Sequence, residues 1–180
     1  MKKYLALLLA LVMSLSLFAC GKKEGDDNKD KDKTKYKVAM ITDYGDITDQ
    51  SFNQTTYEAC KAFAEKNNIE FKYYKPAGDN TADRVAMIES AVEEGFNVIV
   101  MPGYAFGGAI VEAAPQHKDV KFIALDVAKG DLLEAGVAKA GEKYDYNPDN
   151  WELEKYVDMS NVYCAIYQEE LCGYMAGYAA

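Results

Sequence analysis

One histidine serves the whole chain of 180 residues: His117, in the polar run PQHKDV, where it reads as a surface residue. Nucleophile-and-base catalysis therefore lacks its usual base, and no G-x-S-x-G elbow is present. Neither G-x-G-x-x-G nor G-x-x-x-x-G-K-[ST] follows the first strand pattern. Acids instead crowd the helix N-terminus that would receive a phosphate. Gly103, Gly107 and Gly108 suit a small anion nest, and equally a tight turn ahead of a closely packed helix. There is no basic stripe, and the formal net charge of −9 argues against a nucleic-acid partner. Beyond Cys20 the cysteines are Cys60, Cys164 and Cys172, an odd set without metal-ligand spacing. That excludes a disulfide framework and a zinc site, and the apolar position of each predicts buried free thiols. No apolar run is of comfortable transmembrane length; the longest, Leu5 to Phe18, has the size of a signal-peptide core behind Lys2 and Lys3.

That leader is followed by Leu17-Phe18-Ala19-Cys20-Gly21, which is similar to the lipobox of bacterial lipoproteins. In those proteins the cysteine takes a diacylglycerol thioether and the peptide is cut before it. An ordinary secretory signal is the alternative. Residues 1–19 are thus expected to be a lipoprotein signal peptide, and Cys20 the lipidation site. Residues 21–35, GKKEGDDNKDKDKTK, hold no large apolar side chain, so the segment 20–36 is expected to be a disordered charged tether. Loss of Lys2 and Lys3 with the leader would take the charge from −9 to about −11.

The remaining 37–180 alternates strand and helix patterns. KVAMI (37–41), IEFKYY (69–74), FNVIVM (96–101), DVKFIAL (119–125) and NVYCAIY (161–167) read as strands. Helical spacing runs over 52–66, with Ser51 as N-cap and Asn67-Asn68 as stop, and over 81–94, with Gly95 at its end. A third helix follows PGYAFGG (102–108), and another begins at 168. This rhythm predicts repeated βαβ units in a doubly wound parallel α/β sheet, with ligand-binding loops beyond the strands' carboxyl ends. Those loops are 42–51, 102–107 and 126 onward. The long interval 127–160 holds Tyr144, Tyr146, Trp151 and Tyr156 among acids and reads as a surface excursion packing its own aromatics; a contact surface for a partner, or a lid, is the alternative.

The first loop, ITDYGDITDQSFNQ (41–54), carries Asp43, Asp46 and Asp49. Their spacing does not fit a calcium loop, so no metal site is expected. Asp43 and Asp126 are both strand-end carboxylates, suited to acid-base work or to accepting hydrogen bonds from a ligand. Phe52 beside Asn53 suits recognition of a nucleobase-like ring by stacking and amide contacts. Packing of Phe52 into the core explains that pattern equally well.

Asp43-x-Gly45-x-x-x-Asp49-x-Ser51-Phe52-Asn53-Gln54 resembles the signature of the basic membrane protein family, substrate-binding lipoproteins of ABC transporters that include the purine-nucleoside receptor type. The likeness continues through Gly95–Val100, Val120–Asp126 and the helix Gln168–Tyr178, and covers nearly all of 36–180. It implies a type I periplasmic-binding-protein fold, in which two Rossmann-like lobes close on a nucleoside. It also implies that Phe52 stacks on the base, Asp43 and Asn53 bond polar edges, Asp126 accepts from ribose hydroxyls, and Gly103 and Tyr104 line the same side. Asp49 and Ser51 match the motif as loop and cap scaffolding. Family members are about twice this length, so the chain is expected to hold the N-terminal lobe, 37–180, without the second, and to bind weakly alone. A bacterial receptor on the outer face of the cell membrane, lipid-anchored and handing a nucleoside to an ABC permease, needs no cofactor and is not an enzyme. A sensory or surface-interaction lipoprotein using the same lobe is the alternative, and a carboxylate-dependent extracytoplasmic enzyme a further one.

Overall fold

The computed structural model describes residues 36–180; the expected signal peptide (1–19), the expected lipidation site Cys20 and residues 21–35 of the expected tether lie outside the described residues. Five parallel strands form one sheet in the order β2-β1-β3-β4-β5: β1 (Lys37–Ile41), β2 (Glu70–Tyr74), β3 (Val98–Pro102), β4 (Lys121–Leu125) and β5 (Val162–Ala165). The helices are α1 (Phe52–Asn67), α2 (Thr81–Glu93), α3 (Gly107–Ala113), α4 (Lys129–Lys139) and α5 (Glu169–Ala179). The doubly wound parallel sheet expected from the strand–helix rhythm is therefore present. α1 packs on β1, β2 and β3, while α2, α3 and α4 pack in a row. Right-handed crossovers put these two groups on opposite faces, because the strand order turns back at β1.

Apolar alternation explains the core. Ala39, Ile41, Ile99, Met101, Phe122 and Ala124 are wholly buried and point to one face with Ile88, Phe106, Ile110 and Leu132. Val38, Met40 and Val100 fill the other face beneath α1. Beyond β3 that second face opens: Ile123 and Leu125 are half-buried, and Tyr163 is 65% exposed. α5 has no buried residue, and its Leu171, Tyr174, Met175 and Tyr178 are all exposed.

Some local expectations are corrected. Ser51 makes no side-chain cap of α1; the carboxylate of Asp49 takes that place, accepting from the backbone N–H of Ser51, Asn53 and Gln54 at 2.8, 3.3 and 3.1 Å. Cys60 and Cys164 are half-buried and free, but Cys172 is free and exposed, since none of the described residues covers α5. Burial pushes the Cys60 thiol up to about 11. His117 is half-buried rather than loose on the surface, its Nε2 2.8 Å from a carboxylate oxygen of Glu89. The interval 127–160 contains α4, and its aromatics do pack on one another: Tyr144–Trp151 and Trp151–Tyr156 meet with ring centroids 5.8 and 5.4 Å apart. They lie against Leu133 and Val137 of α4. Among the described residues no helix is long and apolar enough to cross a membrane.

Candidate functional site

The strand order reverses between β1 and β3, so their carboxyl ends part into a crevice where open α/β sheets bind ligands. Asp43 follows β1 at this point, and Gly103 follows β3. Gly103 has φ +117, a conformation that disfavours a side chain, and a Cβ there would lie 3.8 Å from the Asp43 Cβ and 3.9 Å from its Oδ2. The chain thus brings a bare backbone segment up to the carboxylate.

The Asp43 carboxylate is used unevenly. Its Oδ1 accepts from the N–H of Tyr44 (2.6 Å), the N–H of Gly45 (2.7 Å) and Asn53 Nδ2 (2.9 Å). Among the described residues all the hydrogen bonds that the carboxyl accepts fall on Oδ1, which leaves Oδ2 as the open acceptor facing Gly103. Partial burial raises the pKa of this group, but the bonds from Gly45, Asn53 and Tyr44 and the charge of Arg84 outweigh it, holding the carboxyl below the ordinary range. Gly45 permits the tight loop, since a Cβ there would sit 2.6 Å from Asn53 Nδ2.

Asn53 is only 5% exposed and is committed within the protein. Its amide donates to Asp43 Oδ1 and to Asp49 Oδ2 (3.0 Å), and its Oδ1 accepts from the Asp43 N–H (3.3 Å). Asp49 thereby ties the loop to α1; burial raises its pKa, but the bonds from Asn53, Ser51 and Gln54 hold it low overall. Asp46 faces solvent and pairs with Lys75 at 3.0 Å.

Phe52 and Asp126 meet elsewhere on the same edge. With Tyr167 and Glu169 they line a pocket of ≈ 330 Å³. The Phe52 and Tyr167 rings meet edge-on, centroids 5.8 Å apart and planes at 81°. Asp126 has φ +59, a left-handed conformation uncommon for a residue other than glycine, and its N–H donates to Ala165 O at 2.6 Å. Backbone strain of this kind gathers at ligand sites. Tyr104, 69% exposed in the turn after Gly103, is not among the residues that line this pocket. The six expected site residues therefore fall into Asp43–Asn53–Gly103, Phe52–Asp126, and Tyr104, exposed in the turn beside Gly103.

Residue patterns alone missed Tyr167, Glu169 and Arg84. β5 stops at Ala165, so Tyr167 emerges at the binding edge instead of ending the strand. Arg84 is 4% exposed, with Nε donating to the Asp43 backbone O at 2.9 Å and Nη2 bonding Asp79. A signal for it was available: Arg84 shares the buried stripe of α2 with Ile88 and Ala91, a charge on an apolar face.

Residues 36–180 match the family described as ABC transporter substrate-binding protein, PnrA-like. The chain is 34% identical over 132 residues to the CD4+ T-cell-stimulating antigen of Listeria innocua, covering 68% of this chain and 36% of that protein. It is 25% identical over 122 residues to the ABC transporter nucleoside-binding protein BmpA of Lactococcus lactis, covering 66% and 34%. A solved solute-binding protein of an ABC transporter system from Aeropyrum pernix is 22% identical, with a TM-score of 0.47, over 52% of this chain and 25% of that one. The chain spans about a third of the length of the curated relatives it matches.

Proposed function

The chain belongs to the family of PnrA-like ABC transporter substrate-binding proteins, and from that premise we propose that its ligand is a nucleoside, captured outside the cell for an ABC permease. The observation that carries this is the pairing on one sheet edge of an aromatic pocket (Phe52, Tyr167, with Asp126 on its wall) and a half-satisfied carboxylate, Asp43. A nucleoside offers the matching chemistry: a flat ring for Phe52, a vicinal diol to donate to Asp126, and ring or amino N–H groups to donate to Asp43 Oδ2. Asn53 takes a different role from the one the family likeness implies: it shapes the loop and holds Asp43. Gly103 lets the ligand approach the backbone, and Tyr104 stands at the rim. The lipobox-like Leu17–Cys20 stretch supports a lipid anchor on the outer face of a bacterial membrane, with residues 21–35 as the tether.

Residues 36–180 supply one wall of the crevice, so a sample holding these residues by themselves binds weakly. Saturation-transfer NMR with inosine, guanosine, adenosine, uridine and ribose tests the reading. Purine nucleosides give transfer concentrated on the base protons, and Phe52→Ala removes it. Transfer that is equal for all five, or unchanged in Phe52→Ala, contradicts the assignment.

A further inference from the structure

Arg84 is the only arginine among the chain's 20 lysines and arginines, and it is buried at the candidate site. Its position opposes simple stability. A cation in the first turn of a helix meets the positive end of the dipole, and a buried charge pays a desolvation cost. Three loops of the binding edge converge on it. Nε donates to the Asp43 backbone O at 2.9 Å, Nη2 bonds Asp79 in the loop before α2, and the guanidinium lies 5.8 Å from the ring centre of Phe106, in the turn after β3. A lysine could supply the charge but not this planar, several-directional contact.

We infer that Arg84 is the positioning residue for Asp43: it fixes the loop after β1 so that Oδ2 is presented to the crevice as an ionised acceptor. It acts through Asp43 and does not touch the ligand. The inference rests on the proposed reading of Asp43 as a ligand acceptor. Around Asp43, Arg84 supplies the cationic influence, while Asp49 is linked through the shared Asn53 amide.

A single arginine makes the test clean, because ¹⁵N-arginine labelling yields one Nε–H resonance. In the unsubstituted chain that proton exchanges with water far more slowly than in free arginine. In Arg84→Met and Arg84→Lys the Asp43 carboxyl, followed by ¹³C NMR, titrates at higher pH, with the larger shift in Arg84→Met. The amides of Tyr44 and Gly45 exchange about tenfold faster in Arg84→Met. A merely structural arginine would lower the Tm and leave the Asp43 titration in place. The inference is overturned by a freely exchanging Nε–H, or by wild-type Asp43 titration and loop exchange in any folded variant. If neither variant folds, the Asp43 titration of the unsubstituted chain decides, and a carboxyl that titrates in the ordinary range overturns the inference. A chain that ignores nucleosides but shows these Asp43 shifts would sink the nucleoside reading and leave the positioning role standing.

Discussion

Asp49 organises the first loop through four accepted hydrogen bonds, from the N–H groups of Ser51, Asn53 and Gln54 and from the Asn53 amide. Removing it uncaps α1 and frees Asn53 at once. Asp49→Ala should therefore cost about 1–2 kcal/mol in urea unfolding, the range of a lost N-cap; a change within a few tenths would contradict the assignment. The pH behaviour follows from the same bonds. Asp43 and Asp49 are both held below the ordinary carboxylate range when folded, so the unfolded chain takes up their protons first. Their stabilisation is complete above about pH 4, the unfolded value, and is lost as pH falls through the folded values. Unfolding free energy measured from pH 6 to pH 2 should fall in the acid range, and Asp49→Asn should flatten that fall. Asp43 was legible as a strand-end carboxylate. The commitment of Asn53 was not, because it depends on how closely the loop at Gly45 folds back.

At the scale of elements, strand–helix alternation located β1 to β5 and most helices within a few residues, since each strand is a short apolar run between polar turns. α4 escaped because KGDLLEAGVAK interrupts its apolar positions with Gly130 and Gly136, which weaken a helical pattern. The aromatics after it were readable as a self-packing group, but the partner they cover is α4. Trp151, the single tryptophan, reports on that excursion. If the excursion belongs to the cooperative unit, tryptophan fluorescence and far-UV circular dichroism give coincident urea transitions. An earlier fluorescence transition would show that it unfolds separately. Asn161 joins another pair of elements: its Nδ2 donates to the carbonyls of Ala114, His117 and Val120 at 3.1, 2.9 and 3.0 Å, tying the α3–β4 connection to the start of β5. His117 O also accepts from the Val120 N–H at 3.0 Å, so Asn161→Ala strips this donor chiefly from the buried carbonyls of Ala114 and Val120 and should cost about 1–3 kcal/mol in thermal or urea unfolding.

Residues 36–180 form one α/β unit, and the proposed recognition chemistry lies on one edge of its sheet. The family likeness implied that Asp43 and Asn53 would both bond the ligand; in the structure Asn53 is buried with its amide bonded to Asp43 and Asp49, and Tyr167 joins Phe52 and Asp126 in a pocket. The exposed apolar side chains of α5, together with the open face at Tyr163, are the largest departure from a closed fold, and no composition rule foretold them. The central claim is that this edge recognises a nucleoside, and a residue-resolved ¹⁵N NMR titration of the 180-residue chain with inosine tests it most directly. The account predicts saturable, weak shifts, with a Kd well above the micromolar range, confined to the amides around Phe52, Gly103, Asp126 and Tyr167 and abolished in Asp126→Asn. Shifts that map instead to α4 or the 144–156 excursion, or that persist in Asp126→Asn, would contradict it.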